Sequence, residues 1–376
     1  MTDWACRACG GDAGALVLDL GLQPACDYFP RADDAGPDPQ YPLQMWLCGN
    51  CSLAQLMDDP TVPEEPRAAE PEALVRQAAA AVAGVAAAGL LPDGGTAAEF
   101  GSPHGGSWLG LLADRGLKPA ADGEPADVVV DCFGLMHDRD QAAAMAERAA
   151  RTAPGGILLL QFHTLAAIVE QGQWNALRHG HYAYYSTIAL TRLLASIGFS
   201  PVTAWTFELY GGTVLLVARR DTDVRAGLDG GAGPDAAVTS LLGREDSVGV
   251  TDPAALRTLQ QDSQARAAGL RAWLTEQRQA GRQVLGYGAA SRAIALLRRA
   301  GIGRDLLPAV ADASPAKQGL RMPGTDIPVV SPAELTTRHP DAVVLFLADL
   351  RAEVSAAYPE IEAGGGHWVD ADSLGS

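Results

Sequence analysis

Two Cys-x-x-Cys pairs, Cys6–Cys9 and Cys48–Cys51, stand near the start of the chain with 38 residues between them. No other feature constrains the fold as tightly. A Cys-x-x-Cys turn points two sulfurs at one place while the backbone amides that follow face the thiolates. Two such turns complete a tetrahedral site of four thiolates, the arrangement of a structural zinc with no open position. Chance pairing is the alternative. A thioredoxin-like redox role is set aside because neither pair opens a helix after a strand. Cys26 and Cys132 fall outside the pattern and read as ordinary buried thiols. The expectation is a zinc-binding domain over residues 1–62.

Beyond it, helical and strand-like patterns alternate. Residues 64–89 are Ala-rich and helical, and Leu91-Pro92-Asp93-Gly94-Gly95 breaks the helix. Residues 96–100 read as a strand entering Gly101-Ser102-Pro103-His104-Gly105, with a helix over 107–115. A strand at 127–131, a helix at 140–152, a strand at 156–161, a helix at 186–198 and a strand at 213–218 follow. Such alternation indicates a parallel α/β sheet. We place this α/β domain at 63–220 and a Gly-, Asp- and Arg-rich linker at 221–252. A second α/β domain covers 253–376. It opens with a long surface helix over 253–280 and continues with a strand at 284–288, a helix at 291–300 and strands at 307–312 and 342–347.

Composition removes some function classes. With 28 Lys+Arg against 45 Asp+Glu, the net charge of −17 repels phosphate backbones and anionic lipid, so neither nucleic acid nor a membrane surface is an expected partner. No apolar run reaches the ~18–20 residues needed to cross a bilayer, and the start lacks the pattern of a signal peptide. The expected location is the cytoplasm, where reduced thiols favour metal over disulfide.

Three groups of residues carry a family resemblance. The first is the cysteine pairs with Asp19–Pro24 and Tyr41–Leu43 between them. The second is His179-Gly180-His181-Tyr182-Ala183-Tyr184-Tyr185-Ser186 with Gly211-Gly212 further on. The third is Gly286-Tyr287-Gly288-Ala289 with Lys317-Gln318-Gly319 and Pro323–Pro328. Taken in order, they resemble the sugar C-methyltransferases of deoxysugar biosynthesis, including antibiotic biosynthesis, over nearly the whole chain. The resemblance implies a zinc domain, a central S-adenosylmethionine-binding domain and a C-terminal Rossmann-like domain. It also implies an enzyme that methylates carbon 3 of a nucleotide-diphosphate 4-keto-deoxysugar. A 4-keto group acidifies the carbon 3 proton, and a histidine base suits its removal near neutral pH. His181 matches the family's base, with His179, Tyr182 and Tyr184 as candidates to orient it or to hold the enolate. Glu99, Gly101 and Gly105 match the donor loop. Tyr182, Ser291 and Lys317 are candidate contacts to the substrate, with Arg292 beside them. The alternatives are solvent-facing loop residues, a metal role for the two histidines without a visible third ligand, and plain surface charges for 291, 292 and 317. The pair Gly286 and Gly288 looks like a dinucleotide fingerprint but lacks the third glycine.

The sequence departs from the family pattern at the donor site. An Asn-Asp pair in the loop is replaced by Pro103-His104. Only 27 residues separate Phe100 from Val128, too few for a further strand–helix–strand passage. The carboxylate that would hold the donor's ribose is therefore missing; Asp122 and Glu124 lie on a loop, but nothing in their spacing argues for the role. Arg178, Gly180 and Tyr210 replace a tyrosine, a glutamate and a histidine of the pattern. Three functions remain: a C-methyltransferase with a minimal donor pocket, a donor-independent relative that epimerises, tautomerises or eliminates on the same sugar, and a non-catalytic partner. Donor binding is expected to be weak or undetectable at about tens of micromolar.

Overall fold

In the computed structural model, which describes residues 4–34, 36–61, 70–102, 105–222 and 234–374, three sheets follow one another along the chain. The first pairs β1 (Gly14–Pro24) with β2 (Gln40–Cys48) and β2 with β3 (Ala54–Leu56), all antiparallel. Cys48 ends β2, and Cys51 lies in the turn to β3.

The second sheet is α/β. After α1 (Glu72–Ala87), which buries Leu74, Ala78, Ala81, Val82 and Val85 on one face, come β4 (Thr96–Phe100), α2 (Leu109–Ala113), β5 (Lys118–Pro119) and β6 (Ala126–Cys132). Next are α3 (Gln141–Arg151), β7 (Thr152–His163) and α4 (Leu165–Glu170). The chain then makes β8 (Ala183–Tyr184), α5 (Thr187–Ser196), β9 (Phe199–Phe207) and β10 (Thr213–Arg220). The order is β5-β4-β6-β7-β10-β9, parallel except that β10 runs against β7 and β9. Strand β8 leaves this sheet and pairs with β3, so the His-Tyr segment is built into the wall of the cysteine unit.

The shortening expected between Phe100 and Val128 is visible. Strand β5 has two residues, paired to Thr96 and Ala97 at the start of β4, and the chain turns straight from it into β6. Asp122 and Glu124 therefore lie at the end of the sheet away from Gly101.

The interval 221–252, expected as a linker, contains α6 (Ala236–Val248); residues 223–233 lie outside the described ones. Asp235 caps this helix and Gly249, left-handed at φ +78°, ends it. Its Glu245 is buried and accepts from the Thr187 and Ile188 amides at 2.7 and 2.8 Å, closing the N-terminus of α5. A buried carboxylate inside a polar stretch reads as solvent-facing in a sequence, which is why the helix was hidden. The helix expected over 253–280 is two, α7 (Pro253–Leu256) and α8 (Thr258–Gln279). Rather than lying only on a surface, α8 buries Leu259, Ala267, Leu270 and Leu274 between β1 and α9 (Ser291–Ala300). The third sheet is wholly parallel: β11 (Val284–Tyr287), β12 (Val310–Ala311), β13 (Val329–Val330), β14 (Ala342–Leu345) and β15 (His367–Asp370), in the order β13-β12-β11-β14-β15. The chain is thus α/β, with a four-cysteine unit, a shortened parallel-sheet unit and a Rossmann-like unit.

The units share cores. Cys6, Trp46, Cys48, Cys51 and Leu53 pack with the second sheet, while Val17, Leu18 and Met45 pack with α8 and the third sheet. One buried ion pair joins the ends of the chain. Arg321, 7% exposed, grips both oxygens of Asp38, 6% exposed, at 2.6 and 2.7 Å, and Asp38 also accepts from the Gly324 amide. Removing one partner of such a pair strands a buried charge at a typical loss of about 3–5 kcal/mol. We expect Arg321→Met to lower the urea midpoint accordingly, and Arg321→Met with Asp38→Leu to recover most of the loss. An unchanged midpoint in the single variant would contradict this.

Candidate active site

The four cysteine sulfurs all lie within 4.8 Å of one another, with Cys6–Cys51 and Cys9–Cys48 each at 3.6 Å. Sulfurs about 2.3 Å from a central zinc stand about 3.8 Å apart in a tetrahedron, so this donor set fits that metal. The Gln55 amide donates to Cys6 Sγ at 3.2 Å and its carbonyl takes the Arg7 amide at 2.9 Å. Asn50 N–H points at Cys48 Sγ at 3.4 Å.

From β3 the cysteine unit reaches the His-Tyr segment. The turn at 178–181 is fixed from three sides. Tyr184, buried by its neighbours, presents its hydroxyl to the Arg178 amide at 3.0 Å. Asp59, fully buried, accepts the Gly180 amide at 2.7 Å. The Arg178 guanidinium reaches Asp27 at 3.5 Å and donates to the Ser291 hydroxyl at 3.1 Å. Gly180 has φ +81°, a conformation that a side chain resists, which accounts for glycine where the family pattern has glutamate.

The turn sets the His181 ring edge-on to His137, with centroids 4.5 Å apart, and 6.3 Å from the Tyr184 ring. Among the sequence candidates, then, His181 and Tyr184 come together. His179 and Tyr182 do not join them. The His179 ring is 1% exposed, bonds to the Pro42 carbonyl at 3.1 Å and packs edge-on against Tyr41; burial lowers its pKa. Tyr182 is buried with the Arg7 and Arg139 guanidiniums 5.0 and 5.2 Å from its ring. Both residues hold the segment to the cysteine unit and are closed to substrate. The physical reason is packing: His179 lies against Pro42 and Tyr41, and Tyr182 between the Arg7 and Arg139 guanidiniums.

Lys317 is also internal. Its ammonium donates to the Ala289 carbonyl at 3.0 Å and lies 5.2 Å from the Phe29 ring, so it pins the turn before α9 and does not face a diphosphate. Ser291 stays half-buried at the junction through Arg178. The glycines of the fingerprint-like turn serve packing. A Cβ on Gly286 would come within 2.9 Å of Phe346 and Val310, and one on Gly288 within 2.8 Å of Leu347. Asp312, at the end of β12, is spent on the amides of Ala289 and Ser314, both at 2.8 Å.

Two residues of this cleft escape a sequence search. His137 follows β6, and His163 ends β7. Both lie at the carboxyl ends of parallel strands, where ligands of α/β sheets gather, and that position is the signal that could have found them. Burial, with the Arg292 charge second, holds His163 down at about 3, so its ring stays neutral. Burial pushes Tyr210 up to about 12, opposed by the same Arg292, and Arg292 also opposes the burial that raises Asp349. The charge of Arg292 on α9 thus acts on His163, Tyr210 and Asp349 together.

On the donor side, Glu99 Oε2 accepts the Trp108 amide at 2.8 Å and so closes the loop onto α2. A Cβ on Gly101 or on Gly105, which has φ +79°, would meet nothing within 4 Å, so both leave open space along the loop. Pro103 and His104 lie outside the described residues. A cavity of about 420 Å³ opens behind Gly101, bounded also by Gly134, His137, Asp138 and Arg148. These residues fit a nucleoside beside a glycine loop, and the loop of His137 joins the cavity to His181.

Comparison with known proteins agrees with this order of parts. Residues 6–65 match the profile of a zinc binding domain and residues 208–371 that of the C-methyltransferase C-terminal domain. The C-methyltransferase NovU of Streptomyces niveus is 24% identical over 405 residues, covering 97% of this chain and 94% of that one. The chain is thus similar to C-methyltransferases over nearly its whole length. Among solved structures, a magnesium protoporphyrin IX methyltransferase from Synechocystis with bound S-adenosylhomocysteine is 16% identical, covers 40% of this chain and 84% of its own, and has a TM-score of 0.29. The N-methyltransferase NodS of Bradyrhizobium japonicum is 15% identical over 39% and 86% of the two chains, also at 0.29. Likeness at that level carries no argument about activity. In this chain the C-terminal profile begins just before Tyr210-Gly211-Gly212 and takes in α6, Arg292 and the whole third sheet. Among the described residues no helix is long and apolar enough to cross a membrane.

Proposed function

We propose that the protein is a C-methyltransferase acting beside the ketone of a nucleotide-linked 4-keto-deoxysugar, with His181 as the base. One observation carries the reading: the His181 ring stands against His137, and His137 borders the cavity behind Gly101. A base and a donor cavity that share a wall are what proton removal followed by carbon alkylation needs. His181 takes the carbon 3 proton, and the electron pair passes to the ketone oxygen as an enolate. We assign the opposing charge to Arg292, which also acts on His163 and Tyr210. Tyr184 positions the base by holding the 178–181 turn. S-adenosylmethionine, when bound, supplies the sulfonium methyl. The four-thiolate zinc holds the wall on which the base sits.

The two-residue β5 favours a second reading, in which the sugar is deprotonated and reprotonated without a donor. Both readings predict wash-in of solvent deuterium at carbon 3 when the protein meets the 4-keto-deoxysugar nucleotide in deuterated water, read by proton NMR. No wash-in with a bound sugar would remove both and leave a binding role.

A further inference from the structure

We infer that Asp138 holds the ribose hydroxyls of a nucleoside in the cavity behind Gly101, replacing the carboxylate that the truncated second strand does not supply. The inference rests on the donor reading given above.

A donor nucleoside across the ends of β4 and β6 needs an acceptor for its vicinal hydroxyls, and the nearby carboxylates can be taken in turn. Glu99 is occupied by the Trp108 amide. Asp122 and Glu124 follow β5, which ends level with Ala97, three residues short of the end of β4. Asp131 is saturated: one oxygen accepts the Gly134 and Leu135 amides at 2.8 and 2.9 Å, and the other takes Arg148 Nε and Nη2 at 2.9 and 2.8 Å. Glu147 is 64% exposed on the rim, with its carboxylate 3.6 Å from Arg148 Nη1.

Asp138 differs from all of these. It borders the cavity, and its Oδ2 is shielded from water. That oxygen is ion-paired with Arg148 Nη2 at 2.9 Å. The side chain is 41% exposed, so its other oxygen, Oδ1, is left to accept from a ligand, and a ribose hydroxyl is such a donor. Burial raises the Asp138 pKa, opposed by the charge and the hydrogen bond of Arg148.

The cavity floor is prepared to keep Asp138 in place. Arg148 is 4% exposed, its guanidinium stacks 4.0 Å from the Phe100 ring centroid, and Asp131 pins it from the strand. The charge balance selects the ligand class. Asp131, Asp138 and Glu147 outnumber the single Arg148, so the pocket rejects a phosphate and accepts a neutral or cationic nucleoside. A sulfonium nucleoside meets that description.

The test titrates S-adenosylhomocysteine into the full-length zinc-loaded chain by calorimetry, for wild type, Asp138→Asn and the distant control Glu124→Gln. Asparagine keeps the shape of the side chain, and Arg148 keeps Asp131, so thermal melting should confirm a folded variant. We expect Asp138→Asn to weaken binding by about 10–150-fold, the loss typical of one charged hydrogen bond, with Glu124→Gln at the wild-type value. Wild-type affinity in a folded Asp138→Asn overturns the assignment and leaves the donor reading standing. Binding to none of the three proteins overturns the assignment together with the donor half of the reading.

Discussion

Replacing His181 with alanine lowers carbon 3 proton exchange by about 10²–10⁴-fold, the range for loss of a general base. The expectation follows from placement. The ring is only partly buried, faces His137 and comes from a turn held by Asp59 and Tyr184, so truncation removes the base and keeps the turn. Affinity for the nucleotide sugar should change little, because Asp59 and Tyr184 hold the turn from its backbone. The matching substitution at His179 should act oppositely. His179→Ala opens a hole against Pro42 and Tyr41, so it lowers stability more than the chemical step. Exchange in His181→Ala at the wild-type rate would place the base elsewhere, and His137 is the ring beside it.

The second large effect is on the metal. Wild-type protein should carry about one zinc per chain, and Cys48→Ser should lose it. Structural zinc contributes about 10–16 kcal/mol of apparent binding energy to folding, so losing a ligand removes a large part of what holds β1–β3. The damage should spread. Cys6, Cys48 and Cys51 pack in one cluster with Leu53, Val82 and the strands of the second sheet, and β8 pairs with β3. Unfolding followed by tryptophan fluorescence should therefore show loss in the middle of the chain as well as at its start. Metal analysis without zinc in the wild type, or an unchanged unfolding curve in Cys48→Ser, contradicts this.

Much of the architecture was legible because its signals are local. The cysteine spacing, the glycines after β4 and the length between Phe100 and Val128 each report on a short segment, and each is found in place. The alternation of apolar strands and helices did the same for the parallel sheets. What stayed hidden depends on tertiary contact. His179 and His181 are two apart and look equivalent, yet only the fold says that one ring faces Pro42 and the other His137. Lys317 looks like a surface charge until Ala289 and Phe29 close over it. Helix α6 reads as linker because its key residue, Glu245, is polar and buried. His137 lies 44 positions before His181, beyond the reach of any spacing rule.

The account rests on a base and a methyl donor meeting across one wall. Its most direct measurement supplies the wild-type protein with a nucleotide-linked 4-keto-deoxysugar and methyl-labelled S-adenosylmethionine, and follows the sugar by mass spectrometry and NMR. The predicted result is one labelled methyl group on carbon 3, lost together with proton exchange in His181→Ala. A sugar that exchanges its carbon 3 proton in the wild type but gains no labelled methyl at any donor concentration would contradict it.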